Sequence, residues 1–308
     1  MYSGVFVALC SCYDHNGAVN PSAVKRLVKY LIEQGVQGLY VGGSTGEGML
    51  QTEEERKAVF AAAAEEARGK VTLIAHVGAI TTKESAALAV HAKENGADAI
   101  SAIPPFYFPY TEDDVKRHWQ AIMEAAELPF IIYNFPAATG FQVSKPLLAE
   151  LCRSGQLLGI KTTSYNVYEL QQFKETGGPG FHVFSGPDQQ YLPSRVMGSS
   201  GGIGGTYAAM PELYLRIEQS FQAGRIEEAR YWQVAANALS TEFHKYGSLA
   251  TIKEIIRLRS GIDCGVPRLP IRSLRQEDLG RVRELSQIIE KHALVRAAAI
   301  SPSEMATS

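Results

Sequence analysis

Residues 4–41 read GVFVALCSCYDHNGAVNPSAVKRLVKYLIEQGVQGLYV, and this stretch decides the fold. Residues 4–11 form a short apolar run of strand length. Asn20 then offers a capping side chain and Pro21 a preset first turn, together a helix start. Val24, Leu27, Val28, Leu31 and Ile32 follow helical spacing, and Gly35 ends the run. Residues 39–41 resume as strand. The unit is strand, amphipathic helix, strand.

Outward from this unit the pattern repeats. Thr52 with Glu55 and Thr81 with Glu84 are spaced as capping boxes at two further helix starts. The next strands are expected at 71–77, 98–103, 130–134, 157–161, 182–185 and 201–205, each followed by a helical pattern. Continuous apolar strands separated by helices imply a parallel sheet covered by helices. Eight such units by about residue 222 predict an α/β fold of the closed (β/α)8 TIM-barrel type. The rival is an open doubly wound sheet, which would carry a glycine fingerprint after its first strand. Residues 11–17 (SCYDHNG) have none. Gly202, Gly204 and Gly205 resemble half of a dinucleotide motif, but the third glycine position is Tyr207. We expect a catalytic barrel over 1–223, a C-terminal helical extension over 224–293 with helices at 225–258 and 277–293, and a loose tail over 294–308.

Composition narrows the function. The 308 residues are 45% hydrophobic, enough for one large core, and a formal net charge of −2 gives no nucleic-acid footprint. No apolar run approaches the ~18 residues of a membrane span. No basic region precedes the first apolar run, so a secretory leader is not expected. Cys10 and Cys12 would share a face if the first strand ran that far. With no companion pair at zinc spacing, reduced buried thiols in a cytoplasmic protein are the expectation. The seven histidines are scattered, and no metal site is expected.

Barrels present reactive groups at the C-terminal ends of their strands. Lys161 follows the apolar Leu157-Leu158-Gly159-Ile160. A lysine there loses hydration, which favours the neutral amine needed to attack a carbonyl. The alternative is a lysine whose ammonium reaches solvent beyond the strand. Tyr133 ends the preceding strand and can share a pocket with Lys161 as a proton shuttle, or be a buried core tyrosine. Gly42-Gly43-Ser44-Thr45-Gly46-Glu47 supplies N–H and O–H donors for a carboxylate, or is an ordinary glycine turn. Glu47 is expected to brace it. Gly186-Pro187-Asp188-Gln189 and Gly204-Gly205-Thr206-Tyr207 put polar groups around the same mouth, and Pro104-Pro105-Phe106-Tyr107 offers an aromatic wall or a subunit contact.

These segments together resemble the pyruvate-dependent aldolase family that includes N-acetylneuraminate lyase and dihydrodipicolinate synthase. The resemblance spans about residues 4–260 and rests on GGSTGEG (42–48), PPFYFPY (104–110), YNFPAATG (133–140), GIKTTS (159–164), SGPDQ (185–189) and GGIGGTY (201–207). It implies that Lys161 forms an imine with a 2-keto acid, that Tyr133 is the general acid/base, and that Ser44 and Thr45 hold the pyruvyl carboxylate. Tyr107 resembles a tyrosine lent to a neighbouring subunit's site, which implies a homotetramer. Gly43, Thr163, Gly186, Asp188, Gln189, Gly205 and Thr206 match substrate-binding positions. The implied substrates are pyruvate and a sugar or sugar acid, with no cofactor.

Ala138 stands where the synthase carries an arginine for its dicarboxylic partner, which favours the lyase branch. Asp188 matches the lyase's sugar-binding aspartate. Gln189 replaces a common glutamate and Gly205 a common serine, both beside the distal part of a sugar acid. Gly205 is expected to add room there. These two positions keep a lyase or dehydratase of another 2-keto-3-deoxy sugar acid open. Synthase-like condensation and a catalytically silent sugar-acid-binding barrel are the remaining alternatives.

Overall fold

The computed structural model describes residues 1–294. Eight parallel strands close in sequence order, with β8 returning to β1. The chain runs β1 (Gly4–Ala8), α1 (Pro21–Gln34), β2 (Gly38–Val41), α2 (Glu53–Ala67), β3 (Thr72–His76), α3 (Thr82–Glu94), β4 (Ala99–Ala102) and α4 (Glu112–Ala126). It continues through β5 (Phe130–Asn134), α5 (Pro136–Thr139), α6 (Lys145–Cys152), β6 (Leu157–Thr162), α7 (Val167–Gly177), β7 (His182–Ser185), α8 (Tyr191–Val196), β8 (Gly201–Gly204) and α9 (Pro211–Gln222). The C-terminal extension is α10 (Ile226–Tyr246), α11 (Ser248–Ser260) and α12 (Leu279–Leu294), with α10 packed along α9. Among the described residues no helix is long and apolar enough to cross a membrane.

Strand alternation divides the core in two. Phe6, Tyr40, Ile74, Ile131, Tyr133, Phe184 and Ile203 fill the barrel. Val5, Val7, Leu39, Leu73, Ile132 and Ile160 face the helices. Both faces are covered, so the strands read as unbroken apolar runs. Strand β6 departs from regular alternation. Phe130 pairs with Leu157 but Ile131 with Gly159, so the register shifts by one residue. Leu158 packs with the interior cluster and Ile160 with the outer one. The shift therefore turns Lys161 inward, opposite Tyr133. A Cβ at Gly159 would lie 2.2 Å from the His182 carbonyl oxygen, so glycine is required at this irregularity.

Local signals mostly match the expected helix ends. Asn20 caps α1, and Gly35 closes it in a left-handed conformation. Thr52 and Glu55 form the full capping box. Thr81 forms only half of one: it accepts from Glu84 N–H, while the Glu84 carboxylate lies 3.9 Å from Arg56. The helical stretch expected over 225–258 is broken at Gly247, whose φ of 96° no L residue adopts readily. Strand β1 stops at Ala8, so Cys10 and Cys12 lie beyond the sheet rather than on one strand face; both are free, buried thiols. Leu294 ends α12, and the rest of the expected tail lies outside the described residues.

Candidate active site

Lys161 is 4% exposed at the C-terminal end of β6. Its Nζ lies 4.0 Å from the centroid of the Tyr133 ring and 4.4 Å from that of Tyr40. The expected pairing of Lys161 with Tyr133 thus has a direct geometric basis in the β5–β6 register. Burial pushes the Tyr133 phenol up, but the neighbouring charge of Lys161 and the hydroxyls of Thr163 and Ser44 more than offset it. The phenol ends below the ordinary tyrosine range.

Residues 42–48 form a tight turn over this pocket. Gly42 has φ 82°, and a Cβ at Gly48 would lie 2.1 Å from the Gly42 carbonyl oxygen. Ser44 is exposed in the mouth, beside the partly buried Thr45. Glu47 (φ 57°) turns its carboxylate away to brace the loop: Oε1 lies 2.7 Å from Lys253 Nζ, and Oε2 accepts from Arg268 N–H at 2.7 Å. Gln51 donates to Ser11 Oγ and Tyr13 Oη, and Ser11 donates to the Gly46 carbonyl, which pins the loop to the chain after β1.

The loops after β6, β7 and β8 complete the rim. A Cβ at Gly186 would lie 2.0 Å from Thr163 Oγ1, so only glycine fits beside that hydroxyl. Asp188 Oδ2 accepts from Thr206 N–H at 2.8 Å, while Oδ1 is buried with no hydrogen-bond partner among the described residues. Burial raises the Asp188 carboxyl above the ordinary range, against the hydrogen bonds from Thr206 and the charge of Lys161. The Thr206 hydroxyl is shared with Tyr214 Oη. Gln189 donates to Ser240 Oγ of α10 at 2.9 Å, and its Oε1 accepts from Tyr165 at 3.4 Å. The extra room expected at Gly205 is limited: a Cβ there would lie 2.8 Å from Thr45 Oγ1.

Tyr107 is not brought to this pocket. It is 86% exposed with φ 87°, and its ring packs edge-on against Phe108. A separate cleft of about 990 Å³, lined by Tyr13, Arg26, Arg257 and Arg268 among others, contains none of the residues around Lys161.

Sequence reasoning missed the layer beneath Lys161. Tyr40 donates to Ser101 Oγ at 2.9 Å. His76 ends β3; Nδ1 lies 3.0 Å from the Gly42 carbonyl oxygen, and Nε2 accepts from Ile103 N–H at 3.3 Å. Those partners select the neutral ring with its proton on Nδ1. Burial, then the charge of Arg56, holds the His76 pKa well below its ordinary value. The ring ties the carbonyl ahead of Gly43-Ser44-Thr45 to the strand end ahead of Pro104. Strand alternation alone signals that Tyr40 and His76 face inward.

Fold and site together define a (β/α)8 barrel built around a buried lysine at the C-terminal end of its sixth strand. The dihydrodipicolinate synthetase family model matches residues 1–290. The chain belongs to that family. It is 41% identical to the N-acetylneuraminate lyase of Mediterraneibacter gnavus over 94% of this chain and 92% of that one. With the N-acetylneuraminate lyase of Rhizobium meliloti the identity is 37%, over 91% and 93%. Among solved structures, a catalytic lysine mutant of Ruminococcus gnavus sialic acid aldolase superposes with a TM-score of 0.93 at 40% identity, covering 95% of this chain and 98% of that one.

Proposed function

We propose that this protein is a Schiff-base aldolase that reversibly cleaves N-acetylneuraminate to N-acetylmannosamine and pyruvate. The observation that carries the reading is the Lys161 nitrogen, buried 4.0 Å from the ring centroid of a tyrosine whose phenol lies below its usual range. The names of the relatives and the intact Lys161 and Tyr133 support the same reading.

In the cleavage direction the Lys161 amine attacks C2 of the open-chain keto acid. Loss of water leaves a protonated imine, which serves as the electron sink. Tyr133 takes the C4 hydroxyl proton as the C3–C4 bond breaks, and the aldehyde sugar departs. The C3–C4 electron pair becomes the enamine. Protonation at C3 and hydrolysis release pyruvate and restore the amine. Ser44 and Thr45, with the backbone at Gly43, hold the pyruvyl carboxylate. Thr163, Gly186, Asp188, Gln189, Gly205 and Thr206 line the sugar side. No cofactor is required, because the imine does the work of one. Free thiols at Cys10, Cys12, Cys152 and Cys264 fit a reducing, cytoplasmic setting. Tyr107 points to a homotetramer in which a neighbour completes the site.

Two experiments test this reading. Pyruvate with borohydride is expected to add a reduced adduct to Lys161, located by peptide mapping, and Lys161→Arg is expected to be inactive and untrapped. An adduct on another lysine, or none, would falsify the mechanism. Pyruvate release is then measured over a panel of keto sugar acids. Gln189, tied to Ser240, and Gly205, set against Thr45, keep a second outcome in view: preference for a shorter 2-keto-3-deoxy acid.

A further inference from the structure

Resting on the imine chemistry proposed above, we infer that Tyr40 is a positioning residue whose ring face holds positive charge on the Lys161 nitrogen. Tyr40 is fully buried on β2, faces the barrel interior, and is fixed at both ends. The backbone is held in the β1–β2–β3 register, and the hydroxyl is tied to Ser101 Oγ on β4. The rings of His76 and Tyr133 pack against its ring at 5.8 and 6.0 Å, and Lys161 Nζ sits over it, 4.4 Å from the centroid.

The setting makes that face matter. Among the described residues, no carboxylate lies within ion-pair distance of Lys161, although Lys161 is buried. This nitrogen is positive as the resting side chain that draws the Tyr133 phenol down. It is positive again as the imine after water has left, when a single N–H remains and fewer hydrogen bonds share the charge with the ring faces. A desolvated cation against an aromatic face is held by the ring quadrupole, and this contribution grows as water is excluded. Tyr133 supplies a second face at 4.0 Å, with the two rings nearly perpendicular at 86°. Tyr133, however, changes charge when it moves a proton. Tyr40 stays neutral, because its hydroxyl is committed to Ser101 and burial keeps the phenol well above the usual range. The two tyrosines therefore divide the work. One exchanges protons, and the other offers a neutral face throughout the cycle.

The experiment measures the imine itself. Intact mass after borohydride reduction, over a series of pyruvate concentrations, gives the imine constant for wild type, Tyr40→Phe and Tyr40→Leu. A series with mono-, di- and trifluorinated phenylalanine at position 40 keeps the ring's shape while weakening its face. Tyr40→Phe is expected to stay within about twofold of wild type, because the ring remains. Successive fluorines are expected to weaken the imine stepwise, and Tyr40→Leu to weaken it about tenfold. A flat response across the fluorinated series overturns the inference, and that series stands even if Tyr40→Leu does not fold. Absence of any imine in the wild type overturns the aldolase reading and this inference with it. An imine in the wild type with a flat series overturns this inference alone.

Discussion

Tyr133 and Asp188 sit on either side of Lys161 and are perturbed in opposite senses. The Tyr133 phenol is drawn down because burial is outweighed by the Lys161 charge and the nearby hydroxyls. Tyr133→Phe removes the proposed proton shuttle and leaves the amine, so turnover should fall ~10²–10⁴-fold while borohydride still traps pyruvate on Lys161. Steady-state rates beside trapping separate the two, and unchanged turnover would move the proton transfer to another group. Asp188 is pushed up by burial, and one of its oxygens has no partner. Its folded carboxyl keeps a proton to higher pH than its unfolded one, so its contribution to stability is lost as pH rises through the folded value. At neutral pH it is a cost, which Asp188→Asn should relieve. We expect a higher melting temperature for that variant at pH 7, by the equivalent of about 1–3 kcal/mol. The gain should shrink toward pH 4, near the ordinary 3.8 of an aspartate. A gain that does not depend on pH would mean the carboxyl is not the cause. The same variant should bind the sugar acid less well.

At the scale of elements, the loop after β2 is held from far along the chain. Glu47 meets Lys253 of α11 in a fully buried ion pair, with Lys253 Nζ 4.5 Å from the Tyr13 ring centroid. Removing one partner of such a pair leaves a buried uncompensated charge, which typically costs about 3–5 kcal/mol. Lys253→Met should therefore lower the urea midpoint sharply and loosen Ser44 and Thr45; a midpoint near wild type would mean that the loop is held by its other bonds. This bracing explains what could be read in advance. Lys161 and Tyr133 were legible because each ends a short apolar run, and neighbouring parallel strands bring such ends together. The turn over 42–48 was legible from its glycines, and its need for support was visible in Glu47. The partner was not, because 206 residues separate Glu47 from Lys253. Ser240 and Gln189 meet for the same kind of reason. Tyr40 was hidden differently: a tyrosine inside an apolar strand looks like core, and only the barrel reveals whose nitrogen it faces. Gly247 was a visible break, masked by helical periodicity on both sides.

At the scale of the whole molecule, the large aromatic side chains exposed among the described residues fall in two short segments. Tyr107 and Phe108 stand exposed after β4, and Ile80 is exposed in the loop after β3. Tyr165 and Tyr168 are exposed around the start of α7, and Val196 ends α8. Contiguous exposed apolar groups are commonly covered in assemblies, and Tyr107 and Phe108 form such a pair, with ring centroids 5.1 Å apart. Light scattering should give a mass of about four chains. Tyr107→Ala should then cost activity more than stability, since its side chain makes little contact within its own chain. A fully active monomer at assay concentration would remove the shared-site idea and leave Tyr107 an ordinary surface residue.

The one-residue slip in β6 bears on any attempt to move this chemistry elsewhere. A strand carries a phase as well as a sequence, and here the phase changes partway, between Leu157 and Gly159. If the same six residues were laid down in strict alternation from Leu157, Ile160 would fill the barrel and Lys161 would be delivered among the outer helices. A lysine transplanted alone onto the sixth strand of another barrel inherits the phase of its host. The portable unit is the hexapeptide with its third residue, Gly159, kept, and a graft that replaces that glycine is expected to turn the lysine away from the barrel interior.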